Sequence, residues 1–116
     1  SEQPTLRPAG LSYEAFSAVS ARQSSGPAPR LLTVLKPQAY GDVARMAKTV
    51  RTGDVAVLCL TATQEALSKR ILDFSFGVAS AFDARVDCVG DKVFAICVGD
   101  ALSAAELQDL KNQGVL

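Results

Sequence analysis

Few residues in this chain could do chemistry. Cys59, Cys88 and Cys97 are its only thiols, and it contains no histidine to act as a partner base. Neither a Ser-His-Asp nor a Cys-His arrangement can be assembled, and no histidine is there for general base work. A zinc site would need cysteines and carboxylates at spacings not found here. No glycine-rich stretch has the spacing of a phosphate cradle. Arg70 and Asp73 lie three apart and suit a surface ion pair. The three cysteines stand in apolar, strand-like contexts without a CxxC pair. That pattern fits buried structural thiols in a reducing compartment. No catalytic residue, metal ligand or cofactor site is assigned. An enzyme working through the cysteines is a minor alternative, closed if the native thiols are unreactive.

Twelve basic and twelve acidic residues give no net charge. A phosphate-backbone binder usually carries a basic excess, and no aromatic-basic stripe is present. A small α/β nucleic-acid-binding module is therefore the rival class, to be revived only by salt-sensitive binding to RNA or DNA. Hydrophobic residues make up 48% of the 116, enough for one real core. There is no run of 18 apolar residues and no secretory signal. Ser1 in place of an initiating Met leaves room for an upstream segment.

These residues must be positioned by a short series of elements. Residues 1–30 are punctuated by Pro4, Pro8, Gly10, Gly26, Pro27 and Pro29, and read as a linker with a thin helix over Leu11–Arg22. The domain is expected over residues 31–116. Leu31–Lys36 reads as a strand covered on both faces, ended by Pro37. A helix over Gln38–Arg51 would turn Tyr40, Val43, Ala47 and Val50 inward and Arg45, Lys48 and Arg51 outward. Val55–Leu60 is a second buried strand. Thr61 or Thr63 would cap a long helix reaching Phe82. Arg85–Val89 and Lys92–Val98 form a hairpin about Gly90-Asp91. Ser103 and Glu106 have capping-box spacing for a last helix ending near Gly114. The fold expected is α/β, a two-layer sandwich with a small mixed sheet in β-α-β-α-β-β-α order and helices mainly on one face.

Two surfaces stand out. The long helix is apolar nearly all round: Leu67, Ile71, Phe74, Val78 and Phe82 on one stripe, Leu72, Phe76 and Ala79 on another. The second stripe needs a cover, which points to a homodimer. Gly77 costs about 1 kcal/mol in a helix interior and suggests close approach of another backbone, either a second helix across a two-fold axis or the chain's own sheet. A two-residue turn would pair Val89 with Lys92, Asp87 with Phe94 and Arg85 with Ile96. One hairpin face then mixes Arg85, Asp87 and Lys92 with Val89, Phe94, Ile96 and Val98, which suits either a partner surface or cover by the C-terminal helix.

From about Leu31 to Val98 the chain resembles SepF, a division protein that links the tubulin-like FtsZ to the membrane. Pro37, Tyr40 and Asp42 match a Pro-x-x-Tyr-x-Asp helix opening, and Gly53 matches a glycine before the second strand. Arg70, Ile71, Asp73, Phe74 and Gly77 match Arg-Ile-x-Asp-Phe-x-x-Gly. Val89, Gly90, Asp91, Lys92, Val93 and Phe94 match Val-Gly-Glu-Lys-Ile-Phe. The resemblance implies a non-enzymatic homodimeric adaptor at the cytoplasmic division site, able to assemble further and to bind the C-terminal peptide of FtsZ. It places Phe94 at the FtsZ-peptide pocket, with Lys92, Cys88, Ile96, Asp87 and neighbouring helix residues as candidates beside it. It makes Phe74, Phe76, Gly77, Ala79 and Ser80 candidates for the dimer interface. Membrane contact would come through an N-terminal helix that is not recognisable in this chain. Asp83-Ala84 replaces the usual Gly-Gly pair, and Cys88 replaces a basic residue often found near the pocket.

Overall fold

A computed structural model describes residues 29–116. The linker and the thin helix read over Leu11–Arg22 lie outside these residues. The elements are β1 (Leu32–Leu35), a 3-10 turn (Tyr40–Val43) running into α1 (Ala44–Arg51), β2 (Val55–Cys59), α2 (Glu65–Phe82), β3 (Arg85–Gly90), β4 (Val93–Cys97) and α3 (Ala104–Asn112). The sheet order is β1-β2-β4-β3. β1 and β2 are parallel, and the other two pairings are antiparallel. The expected element order and mixed sheet are found.

Strand alternation explains the layers. In β2 all five residues are buried. Ala56 and Leu58 join Leu35, Met46, Val50, Ile71, Val78 and Ile96 beneath α1 and α2. Val55, Val57 and Cys59 join Val93, Ala95 and Cys97 beneath Leu110 of α3. Two helices thus cover one face and a short third helix caps the other. β1 is an edge strand, so only Leu35 in it is fully buried, not the doubly covered run expected.

The helix starts differ from the spacing-based expectation. The Asp42 carboxylate accepts hydrogen bonds from the Gln38 and Ala39 N–H groups at 2.9 and 3.0 Å, closing a 3-10 turn first. These bonds hold the carboxyl below its ordinary range. The tighter turn changes the helical phase. Met46 is fully buried, Ala47 only partly, and Tyr40 stays at the surface. Tyr40 packs edge-on against Phe74 with ring centroids 6.0 Å apart. Arg70 lies 4.3 Å over the Tyr40 ring. That contact takes the place of the expected Arg70–Asp73 pair, and it explains why the Pro-x-x-Tyr-x-Asp and Arg-Ile-x-Asp-Phe segments belong together.

Neither threonine caps α2. Its N-cap is Gln64, without a side-chain bond. Thr63 Oγ1 instead donates to the Pro37 carbonyl at 3.0 Å, tying the loop to the end of β1. At the other end, Asp83 is left-handed with φ 56°. This is the place where the resemblance has glycine, the residue that meets no Cβ penalty there. The capping box of α3 forms as read: Ser103 Oγ accepts from the Glu106 N–H, and the Glu106 carboxylate accepts from the Ser103 N–H.

The hairpin register is shifted by one residue. Gly90 pairs with Val93, Cys88 with Phe94, Val86 with Ile96, Asp87 with Ala95 and Arg85 with Cys97, with a bulge at Val89. The turn is Asp91-Lys92, not Gly90-Asp91, and Lys92 takes φ 58°. A one-residue slip exchanges the faces of a strand. Val86 and Cys88 therefore lie on the side of Phe94 and Ile96, while Arg85 and Asp87 lie on the α3 side.

Candidate binding cleft

An open cleft of about 340 Å³ lies where the start of β4 meets the first two turns of α2. Leu60, Leu72 and Phe94 give it apolar surface, and Thr63, Glu65, Ser68 and Lys92 supply polar walls. Its parts are positioned by fixed backbone. Glu65, Ser68 and Leu72 fall on one stripe of α2 by helical spacing. Leu60 follows directly from β2, and its N–H donates to the Lys92 carbonyl at 2.8 Å, which fixes the hairpin end against the sheet. Phe94 is half-buried, with its neighbour positions Val93 and Ala95 turned into the opposite core.

The candidate pocket residues separate. Phe94 and Lys92 share the cleft. Cys88 stands directly across from Phe94 on the edge strand, exposed, its Sγ 3.2 Å from the Gly90 carbonyl. It is thus not the buried thiol expected, because the register shift and its place at the sheet edge leave it open. Ile96 is fully buried under α2 and offers no surface. Asp87 is on the other face, paired with Arg85 at 2.7 Å. The mixed hairpin face expected from a Gly90-Asp91 turn does not form, because the bulge at Val89 puts Arg85 and Asp87 on the face opposite to Phe94 and Ile96. The contributions of Leu60, Thr63, Glu65, Ser68 and Leu72 are not evident from the hairpin alone. The signal for them is the stripe Glu65–Ser68–Leu72, which begins one short loop after the strand that pairs with β4.

The other two cysteines are buried. Burial pushes the Cys97 thiol up, although the Arg30 guanidinium sits 3.5 Å from its sulfur. A raised thiol is a poor nucleophile. Among the described residues, no group of three or more His, Cys, Asp or Glu side chains could hold a metal ion. No helix there is long and apolar enough to cross a membrane.

A second surface runs along α2. Phe76 is 57% exposed, and Gly77 and Ser80 are exposed beside it. Nothing lies within 4 Å of the point where a Gly77 Cβ would be. Close packing on its own sheet therefore does not account for this glycine. Ala79 is buried and Phe74 is half-buried against the domain's own core, so these two interface candidates face inward. Most of the second apolar stripe is covered within the chain; Phe76 is what remains bare.

The architecture is that of a small mixed α/β domain of SepF-like form. It matches the solved SepF-like protein from Pyrococcus furiosus with a TM-score of 0.51, covering 61% of this chain and 88% of that one at 19% identity, a likeness of fold. A family model described as cell division protein SepF matches residues 32–98. Cell division protein SepF of Rhodococcus erythropolis is 29% identical over 125 residues, spanning 98% of this chain and 58% of the relative. That of Rhodococcus opacus is 32% identical over 84 residues, spanning 72% and 37%. The chain belongs to the SepF family of cell division proteins. It spans from about a third to three fifths of the length of these relatives.

Proposed function

We propose that this chain is a non-enzymatic division adaptor that binds the C-terminal peptide of FtsZ in the cleft at Phe94 and helps to anchor or align FtsZ filaments at the division site. The observation that carries this reading is the convergence of Phe94 and Lys92 with Leu60, Leu72 and the first turns of α2 in one open cleft. Apolar surface edged by polar groups suits an apolar peptide anchor. Titration of an FtsZ C-terminal peptide into the chain tests it. Phe94→Ala is expected to weaken binding by about 1–3 kcal/mol. No binding by the unaltered chain at high micromolar peptide would sink the adaptor role, and full affinity in the variant would put the pocket elsewhere.

On this reading the working unit is a homodimer joined through the bare stripe of α2. Gly77 and Ser80 let a second helix approach, and Phe76 supplies the apolar contact. Phe76→Glu is expected to give a monomer at concentrations where the parent sediments as a dimer. A monomeric parent, or an unchanged dimer in the variant, contradicts the assignment. Membrane contact would come through an N-terminal helix, as the family resemblance implies.

A further inference from the structure

The two walls of the cleft carry opposite charge. Glu65 stands on the helix wall and Lys92 on the strand wall, and both are exposed. Neither charge is used up inside the domain. Glu65 has Lys69 at 3.8 Å, but those side chains are 87% and 75% exposed, a pair of little strength in water. Among the described residues Lys92 has no ion-pair partner. Its backbone is left-handed, a conformation glycine enters freely and a long side chain avoids. The Leu60 N–H clamps its carbonyl at 2.8 Å. The ammonium is thus carried by a fixed hairpin end beside the apolar surface of Leu60, Leu72 and Phe94.

We infer that the cleft selects its peptide by the order of charges around an apolar anchor. The anchor rests on Phe94, an Asp or Glu on one side of it meets Lys92, and a Lys or Arg on the other side meets Glu65. This rests on the cleft being the FtsZ-tail site, and it adds what the site reads. A wholly acidic or wholly basic segment satisfies one wall and is repelled by the other.

A charge exchange tests this in the full 116-residue chain. The ligands are an FtsZ C-terminal peptide and its inverted form, with every Asp and Glu made Lys and every Lys and Arg made Glu. The proteins are the parent, Glu65→Lys/Lys92→Glu, the single neutral variants Glu65→Gln and Lys92→Gln, and Phe94→Ala, with affinities read by fluorescence anisotropy. The parent is expected to favour the natural peptide by about fivefold or more, since rim charges act mainly through steering and modest pairing. The exchanged protein should favour the inverted peptide. Each neutral variant should narrow the ratio, and roughly 0.5 M salt should erase much of it. If all variants rank the two peptides as the parent does while Phe94→Ala still weakens binding, the charge reading is wrong and the adaptor reading stands. If the parent binds neither peptide, or Phe94→Ala changes nothing, both fall together.

Discussion

On one face of the sheet, α1 and α2 lay Met46, Val50, Ile71 and Val78 over Leu58 and Ile96. On the other, the nine-residue α3 sets Leu110 over Val57, Ala95 and Cys97. The better-covered face is the one left incomplete, with an open cleft at Phe94 and a bare Phe76. The thinly covered face is held by a polar latch, whose Arg30 and Glu106 also line an open groove of about 500 Å³. Arg30 donates Nε to Glu106 Oε2 at 3.0 Å and Nη2 to Oε1 at 2.9 Å, and reaches the Ala101 carbonyl at 3.3 Å. A helix as short as α3 is marginal by itself, so its hold depends on Leu110, this fork and its capping box. The difference teaches where each job sits. The proposed binding surface lies beside the double-helix layer, and the latch holds the short helix on the other face.

Core truncations should separate the two faces by size. Ile71→Ala and Leu110→Ala both remove fully buried side chains. The first sits between helix and sheet and should cost about 3–4 kcal/mol, toward the upper part of the range for such changes. The second can be relieved by movement of the short helix and should cost about 2–3 kcal/mol. Denaturant unfolding of both variants measures this, and equal losses would mean that α3 is as firmly packed as α2. Leu110→Ala should leave FtsZ-peptide affinity unchanged, as its face takes no part in the cleft.

The latch should show in acid. Arg30 holds the Glu106 carboxyl at about 2, below its ordinary 4.5, helped by the Ser103 N–H and opposed by desolvation. A lowered carboxyl stabilises the folded state above its unfolded value and loses that contribution as pH falls from about 4.5 toward about 2. With Glu106 still partly exposed, the loss should be on the order of 1–2 kcal/mol. Glu106→Gln should be less stable at neutral pH and should flatten this part of the stability–pH profile. A parent and variant with parallel profiles between pH 2 and pH 5, on the order of the window just named, would show that the fork does not hold α3.

The sheet and helices were legible because β2 is apolar throughout and α2 is long and strongly patterned. The cleft was half legible. Phe94 and Lys92 come from the hairpin, but the face they share depends on a register that a bulge at Val89 moves by one residue. Nothing in alternating polarity marks a bulge, and the small apolar set Val86, Cys88, Val93, Ala95 and Cys97 suits either pairing. Ile96 and Asp87 were misplaced for that reason. Ala79 was misplaced because a helix covered by two neighbouring surfaces buries a wider arc than one stripe. Ser75 sits fully buried in that arc, its hydroxyl returned to the Ile71 carbonyl at 2.7 Å.

The smallest effects come from two turns that bend the same way. Asp83 and Lys92 are the two non-glycine residues with positive φ among the described ones, at 56° and 58°. Aspartate tolerates that region better than lysine does. Lys92→Gly should therefore relieve more strain, about 0.5–1 kcal/mol, and Asp83→Gly less than about 0.5 kcal/mol, after the greater freedom of the unfolded chain offsets part of each gain. Thermal unfolding would read both as small rises in Tm. Their effects on binding should diverge. Asp83 ends α2 far along the helix from the cleft, so its replacement should leave peptide affinity alone. Lys92→Gly keeps the turn and removes the ammonium, so a more stable protein should bind the peptide a few-fold less well. If Lys92→Gly gains stability with no loss of affinity, the residue is an ordinary turn lysine. If it loses stability, its side chain packs on the domain itself, and the strand wall of the cleft is structural.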